Sequence, residues 1–244
     1  MKLEAVITCV NYGDFLAHTL PLNKPHFDRL VVVTTHMDKL TQRVCEFHHV
    51  ECILTDKFQA HVGNFCKGAG INTGLDRLDR DGWLVQMDAD IALPPLTRYL
   101  LEKAELQSDC IYGADRFMVP SFAEWMAFIG NPRLLHENKS WVHLSAFPLG
   151  VRVAIEEYGW APIGYFQLWH GSQQKLYPSG HTDAAREDLQ FPLKWPRHKR
   201  HLLPDLAVYH LESEAAPMGA NWAGRKTAPF SSNAVAAVDP KIYL

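Results

Sequence analysis

The segment Trp83-Leu84-Val85-Gln86-Met87-Asp88-Ala89-Asp90-Ile91 constrains this chain more than any other. Its first half is an apolar run of strand length. Runs with so little polar alternation fit strands buried on both faces, as in a parallel sheet. The run stops at two carboxylates one residue apart. On an extended chain, side chains at i and i+2 point the same way. Asp88 and Asp90 therefore crowd each other at the carboxyl end of a buried strand. Like charges so close repel, and one would ordinarily keep a proton. A divalent cation removes the conflict. Carboxylates suit hard ions such as Mg²⁺ and Mn²⁺, which commonly bind substrate phosphates as well. The alternative is a pair of solvated loop aspartates. Leu93-Pro94-Pro95 follows at once, and proline cannot sit in a central ladder. The strand ends where the acids begin.

Elsewhere short apolar runs alternate with helical spacing. Residues 4–10, 30–35 and 50–54 read as strands. Residues 15–20, closed by Pro21, and 37–48, with Leu40, Val44 and Phe47 at helical spacing, read as helices. Residues 64–78 read as a helix with Ile71, Leu75 and Leu78 on one face. Gly68 and Gly70 permit close backbone approach near its start, and a helix N-terminus beside Lys67 suits a phosphate. After the acids come a helix at 96–104 and a strand at 109–114 ending at Asp115-Arg116. A weakly patterned stretch, 117–157, holds Trp125, Phe128, Trp141, His143 and Phe147. These aromatics pack a core, or Trp125 or Trp141 touches an acceptor. A strand at 164–170, a polar loop at 171–183 and a last strand at 204–209, ending at His210, complete the pattern. Strands alternating with helices predict an α/β fold with a mostly parallel central sheet, flanking helices and right-handed crossovers. The 244 residues, 47% hydrophobic, suffice for one domain.

A net charge of −3 and a pI near 6.5 do not suggest a general polyanion binder, though they leave room for a local basic patch. Lys194 to His201, KWPRHKRH, is the one dense basic run. It reads as a solvated face, as a dock for an anionic acceptor such as nucleic acid, or as a dock for a diphosphate. The five cysteines are scattered and form no C-x-x-C, which predicts reduced thiols and a cytoplasmic location. The N-terminus carries no signal pattern, and no apolar run reaches transmembrane length.

VQMDADIALPP resembles the D-x-D segment of GT-A nucleotide-sugar glycosyltransferases, and KGAGINTGL resembles the run that precedes it in family 2. RED at 186–188 and VYH at 208–210 continue the likeness in the same order, and MGANWAGRKTAPF resembles the tail of small family 2-like proteins of bacteria and bacteriophages. The resemblance implies a Rossmann-like GT-A fold, with residues 1–115 forming a nucleotide-sugar half and 116–244 an acceptor half. It places base and ribose over Cys9 to Tyr12 and Asp38, with Asn11 and Tyr12 in the pocket and Tyr12 able to stack on a base. Asn11, Gly13 and Asp14 alternatively only make a turn. Lys67 and Asn72 would face the donor. Asp88, Asp90 and His210 would hold Mn²⁺ or Mg²⁺, for which a neutral imidazole at a strand end is also a suitable ligand. Asp188, or else Glu187, would be the catalytic base, a carboxylate within reach of the acceptor hydroxyl. Acids at a helix start are equally favoured by its dipole. Asn221, Trp222, Arg225 and Lys226 would fold over the nucleotide, arginine matching a phosphate bidentately.

The function so implied is an inverting, metal-dependent hexosyl- or pentosyltransferase taking a nucleotide-sugar such as a UDP-sugar. The acceptor is a glycan, a small hydroxylated molecule or a hydroxymethylpyrimidine of phage-type DNA. A nucleotidyltransferase would share the sheet and acids, but its first loop is usually Gly-rich and basic, whereas NYGDF has no Lys or Arg. A non-catalytic nucleotide-sugar-binding module would keep the pocket alone.

Overall fold

The computed structural model describes residues 1–59, 65–130, 151–153, 159–180, 187, 189–212 and 229–230. Four apolar runs pair side by side in parallel: β1 (Leu3–Thr8), β2 (Arg29–Thr34), β3 (Glu51–Leu54) and β4 (Trp83–Asp88), in the order β3-β2-β1-β4. Their continuous hydrophobicity follows from burial on both faces. Ala5, Ile7, Val32, Val85 and Met87 join one core, while Val6, Val31, Val33 and Leu84 join another. Helices cover the two faces. Leu16, Leu20, Val44 and Cys45 of α1 (Gly13–Asn23) and α2 (Lys39–Phe47) close the first core. Ile71 and Leu75 of α3 (Lys67–Leu75) close the second. Gly74 lets α3 lie this near the sheet: a Cβ there would stand 2.2 Å from Val6 Cγ2 and 2.8 Å from Val33 Cγ2.

Helix α1 begins earlier than expected and runs through Pro21 instead of closing there. Its last turn is held tertiarily. The buried Asn23 side chain donates to the Ile91 carbonyl at 2.7 Å and accepts from the Leu93 N–H at 2.8 Å. Those bonds carry the helix past the proline.

The second half adds β5 (Ile91–Ala92), α4 (Thr97–Lys103), β6 (Ile111–Val119), α5 (Phe122–Gly130), β7 (Val151–Val153), β8 (Trp160–Pro162), β9 (Phe166–His170) and β10 (Arg200–Leu211). One eight-stranded sheet has the order β3-β2-β1-β4-β9-β6-β10-β5, and β7 and β8 form a separate pair. Strands from both halves of the chain thus share one sheet. β9 runs antiparallel between β4 and β6, and β5 antiparallel to β10, while β6 and β10 are parallel. Strand β6 does not stop at Asp115-Arg116. It parts from β9 after Tyr112 and continues beside β10. The stretch from 117 also contains the helix α5, which its weak pattern did not reveal. Trp125 on it is fully buried against Phe128 and Tyr209. It is therefore a core residue and does not face an acceptor. Trp141, His143 and Phe147 lie outside the described residues. All five cysteines are free thiols. No helix among the described residues is long and apolar enough to cross a membrane.

Phe230 returns to the start of the chain. Its N–H donates to Asp14 Oδ2 at 2.7 Å, and its ring stacks on Phe15 at 4.6 Å and meets His18 edge-on. His18 is 3% exposed. Burial pushes its imidazole down to about 4, against the opposing pull of Asp14. Its folded value lies below the ordinary 6.5, so the unfolded chain takes the proton first. The contribution is complete above about pH 6.5 and is lost as pH falls toward 4. Urea unfolding is expected to show about 3 kcal/mol lost over that window, and a His18→Asn variant should flatten the step.

Candidate functional site

The site forms where β4 ends. The Asp88 N–H donates to the Tyr165 carbonyl at 3.1 Å. Asp88 Oδ1 lies 2.7 Å from Lys67 Nζ and accepts from Gln86 Nε2 at 3.3 Å. Lys67, the first residue of α3, is 7% exposed, so its ammonium is held beside the acid. Asp90 follows on the turn into β5. Because β5 pairs with β10, with Ile91 opposite His210, the imidazole arrives beside Asp90. His210 Nε2 lies 3.5 Å from Asp90 Oδ2, and the Leu211 N–H donates to the Asp90 carbonyl at 2.9 Å. The crowding of the two acids is relieved by giving each a different partner.

Asp90 Oδ1 is buried with no hydrogen-bond partner. Burial raises the Asp90 carboxyl, but His210 and, further off, Lys67 outweigh it and hold it below the usual carboxylate range. A buried carboxylate oxygen left unpaired is costly, and a cation would satisfy it. Two carboxylates and an imidazole are also a donor set suited to Mn²⁺. The residues fit such an ion in kind. Among the described residues, however, no group of three His, Cys, Asp or Glu side chains is placed to hold a metal ion, and Asp88 is engaged by Lys67.

Beyond His210, Arg116 Nη1 lies 2.7 Å from Nδ1 of the imidazole. Its guanidinium sits 4.5 Å above the centre of the Tyr165 ring, and the Tyr165 hydroxyl donates to the Ala114 carbonyl. Tyr165 thereby ties β6 to the acid turn. Neighbouring Asp115 is pushed above the ordinary carboxylate range by burial, and its Oδ1 is unpartnered. Sequence reasoning missed Arg116, Tyr165 and Asp115 as site residues. The Asp115-Arg116 pair was visible only as a strand end, since β6 reaches the site through its pairing with β10.

The first loop lies next to the acids because Thr8 pairs with Asp88. Asn11 adopts a left-handed conformation, φ 59°, and its N–H donates to Asp38 Oδ2 at 2.7 Å. Asp38 also accepts from the Thr41 N–H at 3.1 Å, Thr41 Oγ1 at 2.7 Å and Thr34 Oγ1 at 3.0 Å. It caps α2 and fixes the shape of the loop, so its carboxylate serves the chain's own donors. Tyr12 is half-buried and stacks on Phe15 at 5.3 Å. Asn72 is also turned to the chain. It donates to the Tyr177 carbonyl at 2.9 Å and accepts from the Tyr177 N–H at 2.8 Å.

Glu187 is buried and accepts the Gly68 N–H at the start of α3. It forms one helical turn with Phe191, whose N–H donates to the Glu187 carbonyl at 3.2 Å. Gly68 permits the close approach of Tyr177-Pro178 to the same helix start, since a Cβ there would stand 2.0 Å from the Pro178 carbonyl oxygen. Asp188, Asn221, Trp222, Arg225 and Lys226 lie outside the described residues.

The basic run is not a diphosphate site. β10 runs parallel to β6, and β4 and β6 are both antiparallel to β9. β10 therefore starts at the opposite edge of the sheet from the end of β4. Arg200 and His210 are separated by roughly 30 Å at about 3.3 Å per residue. Its cations have local partners: Lys199 meets Asp109 at 2.7 Å, and Arg200 Nε donates to the Trp195 carbonyl at 2.8 Å.

No protein-family model matches the chain, and no curated protein sequence matches it. Solved structures do. Glucosyl-3-phosphoglycerate synthase from Mycobacterium tuberculosis, solved with Mn²⁺ and uridine-diphosphate-glucose, superposes with a TM-score of 0.51 at 11% identity, covering 89% of this chain and 72% of that one. A second structure of that enzyme gives 0.50 at 12% identity, covering 89% and 74%. The fold is that of a GT-A glycosyltransferase. At such identity the likeness speaks to fold alone. The reversed β9 shows how this GT-A sheet departs from an all-parallel one.

Proposed function

We propose that the protein is a metal-dependent, inverting glycosyltransferase that moves a sugar, hexosyl or pentosyl, from a nucleoside-diphosphate donor to a hydroxyl acceptor. The observation that carries this reading is the acid pair at the carboxyl end of β4, with a buried, unpartnered Asp90 oxygen beside His210. The neighbour solved with Mn²⁺ and UDP-glucose supports a UDP-sugar and Mn²⁺, with Mg²⁺ as the alternative ion. Asp88, Asp90 and His210 would hold the ion. When bound, it supplies Lewis-acid neutralisation of charge on the leaving diphosphate.

The chain's own groups do the rest. Lys67 offers its ammonium to a phosphate, while the Gly68 N–H at the start of the same helix is taken by Glu187. Asn11 and Tyr12, in a loop shaped by Asp38, receive the base, with Tyr12 as its stacking face. Asp188 removes the acceptor proton as the oxygen attacks the anomeric carbon from the side opposite the leaving group. Glu187, anchored on α3, sets where that turn lies. Arg225 and Lys226 would supply positive charge to the diphosphate. The acceptor is a glycan or small hydroxylated molecule. A modified DNA base is less favoured, because the one dense basic run sits at the far edge of the sheet.

A thermal-shift screen tests this. A ligand at about 100 times its Kd stabilises the fold by about 2.7 kcal/mol, or roughly 5–10 °C for a domain of this size. A UDP-sugar with Mn²⁺ is expected to reach that shift, and the same sugar with chelator far less. No shift from any nucleotide sugar, with or without Mn²⁺, overturns the proposal.

A further inference from the structure

A histidine that binds a metal through Nε2 ordinarily donates its other N–H, on Nδ1, to a carbonyl or carboxylate. His210 is placed otherwise. Its Nδ1 lies 2.7 Å from Arg116 Nη1, and a guanidinium has only donors to offer. Nδ1 must therefore accept, which leaves the ring proton to Nε2, the atom 3.5 Å from Asp90 Oδ2. In that tautomer Nε2 has no lone pair for a cation. The guanidinium is held there by the face of Tyr165, a contact that stabilises a half-buried arginine.

Charge works in the same direction. Lys67 and Arg116 already stand beside Asp88 and His210. A divalent ion entering alone adds like charge to these two cations, whereas an ion entering with a diphosphate brings its own counter-charge. A diphosphate is also the acceptor that a guanidinium matches best, through paired N–H···O bonds.

We infer that Arg116 is a positioning residue that keeps His210 closed to a bare cation and releases it when a nucleoside diphosphate draws the guanidinium away. On release the ring proton moves from Nε2 to Nδ1 through solvent, with no net gain or loss of protons, and Nε2 is left with its lone pair. The inference rests on the reading of Asp88, Asp90 and His210 as the metal-holding set. Its consequence is that Mn²⁺ and nucleotide bind as a coupled pair.

Two measurements on the full chain test it. The ¹⁵N shifts of the His210 ring without ligands should report the Nε2–H tautomer; an Nδ1–H ring overturns the inference. Titration of free Mn²⁺ followed by electron paramagnetic resonance, first alone and then with UDP, supplies the second. Arg116→Gln, whose amide oxygen can accept from Nδ1–H, is expected to bind Mn²⁺ alone roughly 10–100-fold more tightly than the parent. UDP should then enhance its Mn²⁺ affinity less than in the parent. Arg116→Met, checked for fold by circular dichroism, should move the same way, and Arg116→Lys should stay near the parent. If the neutral variants bind Mn²⁺ alone as weakly as the parent, while the parent binds Mn²⁺ with UDP, the inference fails and the site reading stands. If the parent binds no Mn²⁺ even with UDP, both fail.

Discussion

Asp90→Asn is expected to lower sugar transfer about a thousandfold, the scale on which loss of one preorganised charge-stabilising group acts, with little loss of folded stability. Both halves of that expectation come from one fact. Asp90 is a buried carboxylate with one oxygen unpartnered and the other 3.5 Å from His210. The unmade bond at one oxygen offsets part of what the carboxylate gains from His210 and Lys67, which hold it below the usual range. Asparagine keeps the shape and gives up that charge interaction, so the melting temperature should fall only slightly. The ion, however, loses a ligand. Transfer rates at saturating donor, with Mn²⁺ and with chelator, and a melting curve on the same preparation check the pair of outcomes. An Asp90→Asn protein that transfers sugar at the parent rate with metal chelated would end the assignment. A large loss of stability would show instead that Asp90 is a structural acid.

Phe191→Ala should produce the largest loss of stability among substitutions near the site. The Phe191 ring is fully buried, stacks on Tyr177 with centroids 3.7 Å apart, and meets Trp169 and Trp195 edge-on at 4.9 and 5.2 Å. Truncating a phenylalanine so packed costs about 3–5 kcal/mol. The urea midpoint should fall with an unchanged slope. Activity should suffer beyond the loss of folded protein, since Phe191 closes the turn that seats Glu187 on the Gly68 N–H. Tyr177, the stacking partner, is fastened to α3 through Asn72, so the cavity would loosen two supports of the site at once. A midpoint unmoved by the change would mean that the cluster collapses around the gap without cost.

The contrast between Asn72 and Lys67 shows how far the sequence could be read. Both sit in KGAGINTGL, and both were placed toward the donor by resemblance. A helix of that composition was legible from its apolar spacing and its glycines. Which side chain faces the cleft was not, because it depends on what packs against the helix. Residue 177, 105 positions away, takes both polar atoms of Asn72. Asp88 takes the ammonium of Lys67. Trp125 is a similar case: an aromatic in a weakly patterned stretch is ambiguous until its neighbours are known, and Tyr209, on a strand far along the chain, makes it core.

What the sequence determined by itself was local. Apolar runs without alternation specify strands buried on both faces, and the step from Met87 to two acids, then two prolines, marks where one of them must end. Those properties need only the chain's own periodicity and sterics. What tertiary structure alone decided was adjacency: the reversed β9 at the centre of the sheet, the basic run exiled to the far edge, and Arg116 set against His210 across paired strands. Strand partners and direction are chosen by contacts between segments distant in sequence, and no short-range pattern encodes them.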